Sequence, residues 1–231
     1  MDYARWRPEY ERITRELGLS REDDERSGRL LERLLGRSPD PHLTLRRTLE
    51  GRQVLIVGAG SRSLPLPPPE AGWATIAADG ATSYCLEEHF LPDLIVTDLD
   101  GRVEDEVTAN GQGCPVLIHA HGDNMPHLEE WVPRFPGTVF GSVAGEPRKG
   151  LINFGGFTDG DRAIFLAEEM GAERVLLARF DPEHGMIGAV PAKRKKLEIA
   201  VQLIDDLCRR ERLQVDVLTS HGPVPWSLRD R

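Results

Sequence analysis

Five short apolar runs, each ended by glycine, aspartate or histidine, constrain this chain more than any other feature. Val54-Leu55-Ile56-Val57 enters Gly58-Ala59-Gly60, and Ala74-Thr75-Ile76-Ala77-Ala78 enters Asp79-Gly80. Leu94-Ile95-Val96 enters Thr97-Asp98-Leu99-Asp100-Gly101, and Pro115-Val116-Leu117-Ile118 enters His119-Ala120-His121-Gly122-Asp123-Asn124. Val175-Leu176-Leu177-Ala178 enters Phe180-Asp181. Apolar runs of this length without polar alternation read as strands buried on both faces, which implies parallel pairing through helical crossovers. The expected fold is α/β, a mostly parallel Rossmann-like sheet of about six strands with helices on both faces. Val215 to Thr219 supplies the last strand, and Thr138-Val139-Phe140-Gly141 is a candidate for a further one.

Residues 1–50 form a separate helical segment in this reading, with the α/β domain over 51–231. Trp6, Tyr10, Ile13 and Leu17 recur at helical spacing, and Gly18 stops the helix. Ser20 and Asp23 resemble a capping box before a second helix with Leu30, Leu31, Leu34 and Leu35 on its apolar side. Arg37 to Pro41 reads as a linker. These helices are expected to pack on the main domain or on a second subunit of a homodimer, and no chemistry is assigned to them. A polar face crowded with acids (Glu22 to Glu25) does not suit a membrane surface.

Asp98 and Asp100 are two apart, so in extended backbone they share a side. Carboxylates converging at the carboxyl end of a buried strand repel each other unless a cation lies between them. That end is where open α/β sheets bind ligands, and Mg²⁺ takes one or two carboxylates plus substrate phosphates. The plain alternative is a solvated Asp-rich turn.

Gly58-Ala59-Gly60, with Asp79 about twenty residues on, imitates a dinucleotide fingerprint. The third glycine is missing, since position 63 is Ser63, and the following Leu64-Pro65-Leu66-Pro67-Pro68-Pro69 cannot be a helix interior. A glycine-lined nucleotide loop survives, with Gly58, Gly60, Ser61 and Ser63 near phosphate or ribose, or the serines serve only as turn formers. His119 and His121 share one strand face. A metal site is one reading, although zinc would need a further N/S ligand that the chain does not offer in pattern. The other, favoured by the residues, is histidines hydrogen-bonding beside a phosphate or substrate. Thr158 or Asp159 caps a helix, with Asp161 complementing its dipole, or the same turn forms an anion and metal site. Lys193-Arg194-Lys195-Lys196 opens a long helix, where four cations oppose the helix dipole. Such a breach marks either a site or a solvated first turn.

The 231 residues suffice for a full core, and a net charge of −9 excludes a nucleic-acid binder that works through a basic face. Cys85, Cys114 and Cys208 form neither a disulfide framework nor a metal pattern. No run approaches the roughly 18 apolar residues of a membrane span, and the expected location is cytoplasmic.

Three acid-bearing turns, Asp79-Gly80, Thr97-Asp98-Leu99-Asp100-Gly101 and Thr158-Asp159-Gly160-Asp161, join His119-Ala120-His121-Gly122-Asp123-Asn124. Together they resemble the archaeal 6-hydroxymethyl-7,8-dihydropterin pyrophosphokinase family over residues 50–220. A more distant likeness is to the catalytic domain of thiamin pyrophosphokinases. Asp79-Gly80 matches the Asp-Gly turn of the thiamin enzymes, and Asp98-Leu99-Asp100 their Asp-x-Asp, with Gly101 where serine is usual. Thr158-Asp159 before Arg162-Ala163 matches their Thr-Asp before Lys-Ala. Those enzymes continue into a β-sandwich that completes the thiamin site, whereas this chain offers a basic helix and one strand.

The resemblance implies Mg²⁺-dependent transfer of the β,γ-diphosphate of ATP to the hydroxymethyl oxygen of the dihydropterin, releasing AMP, for methanopterin or folate biosynthesis. It implies Asp98, Asp100 and Asp159 as metal ligands, with Asp123 a further candidate. Asp79 would meet the metal or the nucleotide, and Gly58, Gly60, Ser61, Thr158, Arg162, Lys193 and Lys196 would meet the nucleotide, with Lys195 another candidate cation. His121 and Asp123 are candidate bases. Asn124, Asn153 and Phe157 would meet the pterin, and Phe154 either stacks on it or packs in the core. Two rivals stand beside this reading: a thiamin pyrophosphokinase and a non-catalytic nucleotide sensor.

Overall fold

The computed structural model describes residues 3–36, 39–60, 66–67, 71–180, 182–187, 189–210 and 213–228. Ser61, Ser63, Asp181 and most of the proline run lie outside the described residues.

Helices α1 (Tyr3–Leu17), α2 (Arg21–Leu35) and α3 (Pro41–Leu49) precede the sheet. Trp6, Tyr10 and Ile13 are buried on α1, as the spacing requires. Ser20 caps α2 by accepting the Asp23 N–H at 3.2 Å. Helix α3 falls partly where a linker was expected. Asp40 is its N-cap, accepting the His42 N–H at 3.0 Å, and Pro41 opens it. Proline is well suited to that first position, because its missing N–H would be unpaired there anyway.

The remaining elements run β1 (Gln53–Val57), β2 (Ala74–Ala78), α4 (Ala81–Glu87), β3 (Leu94–Thr97), α5 (Val103–Gly111), β4 (Val116–Ala120), α6 (Met125–Trp131), β5 (Val139–Val143) and β6 (Leu151–Ile152). They continue with α7 (Asp159–Glu169), β7 (Arg174–Ala178), α8 (Pro182–Met186), α9 (Pro191–Arg210), β8 (Gln214–Thr219) and β9 (Gly222–Pro225). The sheet has nine strands in the order β6-β5-β4-β3-β2-β1-β7-β8-β9, and every pairing is parallel except β8–β9. The expected α/β sheet is therefore present, widened by β5 and by two short edge strands. β9 contains Pro223 and Pro225, which an edge strand tolerates because one side of its backbone is unpaired.

Alternate residues of each strand feed opposite cores. Val54, Ile56, Ile76, Leu94 and Val96 pack with residues of α1, α3, α7 and α9. Leu55, Val57, Ala77, Ile95 and Ile118 pack with residues of α2, α4, α5 and α6. Helices thus cover both faces, and the N-terminal helices share these cores. Phe154, 2% exposed, belongs to the first of them and packs in the core. Among the described residues no helix is long and apolar enough to cross a membrane.

Candidate active site

The carboxyl ends of β2, β3 and β4 lie side by side, and the turns that end them carry the polar residues. Asp79 follows β2 with φ 47° and Leu99 follows β3 with φ 69°. These left-handed conformations, costly for non-glycine residues, bend both turns back toward each other. The Asp79 N–H donates to Val96 O at 2.8 Å, which anchors its turn to β3. Asp79 Oδ1 accepts the Thr97 hydroxyl at 3.2 Å and the Gly101 N–H at 3.1 Å. Asp79, Asp98 and Asp100 each offer an oxygen, and these three atoms lie within 4.8 Å of one another.

Electrostatics separate the three acids. Burial raises the Asp79 carboxyl, helped by repulsion from Asp98. Burial also opposes ionisation of Asp98, but His121 and then Arg162 overcome it and hold Asp98 below its usual value. Asp100 is pushed up to about 6 by burial and by repulsion from Asp98 and Asp79. Asp98 Oδ1 is buried without a hydrogen bond. Crowded carboxylates with an orphaned oxygen fit a hard divalent cation, which takes oxygen ligands. Glu106 of α5 is fully buried with neither carboxylate oxygen hydrogen-bonded. Burial and then Asp79 raise its carboxyl well above the usual range.

The cluster opens into a cavity of about 410 Å³. His121 sits at its edge with Nε2 3.3 Å from Asp98 Oδ2, while its Nδ1 accepts the Asp123 N–H at 3.3 Å. That pairing places the proton on Nε2, which donates to Asp98. His119 is buried, with Nδ1 3.0 Å from the Ser142 hydroxyl, and burial lowers its pKa well below the usual value. The two imidazoles stack with centroids 6.2 Å apart, and among the described residues no histidine joins a metal-binding group.

The amino end of α7 forms another wall. Asp161, fully buried, accepts the Phe157 N–H at 2.6 Å, the Thr158 N–H at 2.8 Å and the Thr158 hydroxyl. It therefore completes a capping box with Thr158 at the N-cap of α7, a larger part than the dipole complement expected of it. Asp159 faces the other acids: burial, then Asp98, raise its carboxyl well above the usual range. Arg162 is 4% exposed, and its guanidinium donates to Gly156 O (3.3 Å) and Phe157 O (3.0 Å). Its Nε is buried without a partner.

Of the residues singled out from sequence, Asp98, Asp100, His121, Asp123, Phe157, Thr158, Asp159, Arg162 and Lys196 line this cavity, and Asp79 joins through the carboxylate cluster. Several others stand elsewhere. The Gly58 and Gly60 N–H groups donate to Ala178 O and Arg179 O, both at 2.9 Å, so they tie β1 to β7 and are not offered to a phosphate. Lys193 is exposed at the start of α9, and Lys195 pairs with Glu16 of α1 at 2.5 Å. Asn124 is buried and braces the backbone: it donates to Asp98 O (2.8 Å) and His119 O (2.7 Å) and accepts the His121 N–H (3.0 Å). Asn153 donates to Ala144 O and Gly145 O and borders a separate groove. Neither asparagine presents a free amide to the cavity.

Sequence reasoning did not place Trp6, Tyr10, Asp23 and Asp24 here, yet all four line the cavity from α1 and α2. Asp24 was indistinguishable from its neighbours in an acidic run, and only the packing of α2 sets it apart.

Known proteins resemble this chain over most of its length. A family model described as 6-hydroxymethylpterin diphosphokinase MptE-like matches residues 37–182. The 6-hydroxymethyl-7,8-dihydropterin pyrophosphokinase of Methanothermobacter thermautotrophicus is 39% identical, the match covering 94% of this chain and 99% of the relative. That of Pyrococcus furiosus is 40% identical over 93% of this chain and 98% of the relative. That of Methanocaldococcus jannaschii is 34% identical over 94% and 100%. Among solved structures, thiamine pyrophosphokinase from Bacillus subtilis is 14% identical with a TM-score of 0.44, covering 73% of this chain and 61% of that one.

Proposed function

Since the chain belongs to the MptE-like 6-hydroxymethylpterin diphosphokinase family, we propose that it moves the β,γ-diphosphate of ATP onto the hydroxymethyl oxygen of 6-hydroxymethyl-7,8-dihydropterin and releases AMP. The observation that carries this reading is the convergence of Asp79, Asp98 and Asp100 at one mouth of a cavity large enough for a flat heterocycle. In the step, the hydroxymethyl oxygen bonds to the β-phosphorus as the bond from that phosphorus to the α–β bridging oxygen breaks. A divalent cation, taken as Mg²⁺, would be held by the three aspartates and would neutralise charge on the phosphate oxygens.

The chain's own groups do the rest. His121 orients Asp98 through its Nε2–H and has both ring nitrogens engaged, so it is a positioning residue. Asp123, exposed on the cavity rim, is the base candidate whose carboxylate makes no hydrogen bond among the described residues, and it takes the hydroxyl proton. Arg162 and Lys196 supply positive charge against the phosphates. Asp159 stands as a further carboxylate beside the cluster. Dependence on ATP suits a cytoplasmic enzyme of methanopterin or folate-type biosynthesis.

The test is acceptor choice. With Mg-ATP supplied, consumption of nucleotide should require 6-hydroxymethyl-7,8-dihydropterin and should not occur with thiamin. Consumption with thiamin alone would replace the acceptor, and nucleotide binding without turnover on either would support a sensor.

A further inference from the structure

The α1–α2 hairpin closes the cavity with two residues that the chemistry of diphosphate transfer leaves unused, Tyr10 and Asp24. Asp24 Oδ2 accepts the Tyr10 hydroxyl at 2.7 Å, and Asp24 Oδ1 accepts the Gly122 N–H at 2.9 Å. The carboxylate is thus fixed from α1 and from the turn after β4. Among the described residues it has no ion-pair partner, whereas its neighbour Asp23 is bound to Arg26 at 3.1 Å. The approach of α2 to that turn is close: a Cβ at Gly122 would come within 2.8 Å of Asp23 Cβ. Gly122 also follows His121, the residue that orients Asp98, so Asp24 and the carboxylate cluster are set by one turn. The same cavity has apolar and aromatic lining from Trp6, Ile13 and Phe157.

A fixed carboxylate with spare lone pairs beside aromatic walls suits a flat ring that presents two adjacent donors. We infer that Asp24, held by Tyr10 and Gly122, is the specificity-determining residue that accepts the ring N–H and exocyclic amino group of a 2-amino-4-oxopyrimidine acceptor. The N-terminal hairpin is then the acceptor-recognition element of the molecule. Two parallel charge-assisted hydrogen bonds bring orientation as well as affinity. A ring that offers an acceptor in place of one donor leaves the carboxylate facing a lone pair and is rejected. This inference rests on the pterin reading of the site.

The experiment is equilibrium binding of 6-hydroxymethyl-7,8-dihydropterin, followed by its fluorescence, in the presence of the α,β-methylene analogue of ATP. Asp24→Asn should weaken the pterin roughly 10- to 100-fold, the scale of a lost hydrogen bond to a charged group, and leave the nucleotide analogue within twofold. The 2-oxo analogue of the pterin, which places an acceptor beside the ring N–H, should bind D24N no worse than wild type, because an amide can match both groups. Tyr10→Phe, which keeps the ring and frees the carboxylate, should weaken the pterin alone by a smaller factor, and it carries the test if D24N does not fold. Unchanged pterin binding in folded D24N would overturn the inference, as would equal weakening of pterin and nucleotide. Wild-type protein that binds no dihydropterin would remove the functional reading and this inference together. Wild-type binding that D24N retains would remove this inference alone.

Discussion

Gly101 shows how one missing side chain shapes the carboxylate cluster. A Cβ there would lie 2.6 and 2.8 Å from the two Asp79 oxygens, inside any ordinary contact distance. Gly101→Ala should displace Asp79 and reduce turnover roughly 100-fold, the effect of about an ångström of misplacement at a reacting centre. Thermal stability should barely change, and steady-state kinetics beside a melting curve would check both parts. Asp100 makes the complementary case. Its carboxyl is raised to about 6, so the folded state binds its proton more tightly than the unfolded chain does. Its contribution to stability is therefore present below the unfolded value near 4 and is lost as pH rises through about 6. Asp100→Asn removes that repulsion. At pH 8 with a chelator it should raise Tm by a few degrees, on the order of 1 kcal/mol once screening of this exposed group is allowed for. Divalent cation should narrow the gap by stabilising the wild type, and differential scanning calorimetry with and without Mg²⁺ would show it. The Asp-x-Asp pair was legible because spacing alone places it. The part Asp79 plays was half legible, since its closure on the pair depends on a left-handed backbone that spacing does not reveal.

At the scale of elements, strands buried on both faces announced themselves by uninterrupted apolar runs, and helices by their periodicity and caps. What escaped were elements whose signal is short or ambiguous. β6 has two residues, and β9 is rich in proline. The polar, glycine-containing stretch 102–113 reads as either a loop or a weak helix, and as α5 it buries Val103, Glu106, Ala109 and Asn110. Asn110 explains part of that: it donates to Cys114 O (2.8 Å) and Thr138 O (3.0 Å) and accepts the Gly137 N–H (2.6 Å), so a polar side chain does the work of packing. Helix α1 reads as amphipathic, with the main domain or a second subunit as its destination, and the structure places it on the main domain. Trp6 is 3% exposed, meets Phe165 of α7 edge-to-face at 6.2 Å, and donates its indole N–H to Ala144 O at 3.0 Å. Trp6→Ala should therefore cost about 3–5 kcal/mol in denaturant unfolding. A loss below about 1 kcal/mol would mean that α1 is not part of the core.

For the whole molecule, the strand order changes direction between β1 and β7, the position where open α/β sheets often bind ligands. Here the glycines at the β1 end are spent on β7, and the acids gather instead across β2, β3 and β4. The glycine turn imitated a phosphate loop because hydrogen-bond partners of a backbone N–H are invisible in sequence, whereas like charges at fixed spacing are visible. The acidic balance of the chain, −9 overall, disfavours phosphate binding at long range, so the proposed diphosphate transfer would rely on local cations and a divalent ion at the site.

Diphosphate transfer can be followed by phosphorus NMR of a reaction with Mg-ATP and 6-hydroxymethyl-7,8-dihydropterin. One AMP should form for each acceptor consumed, with a diphosphate ester on the hydroxymethyl oxygen, and both should be lost in Asp98→Asn. ADP with a monophosphate ester, or AMP that forms at the same rate without the acceptor, would contradict diphosphate transfer.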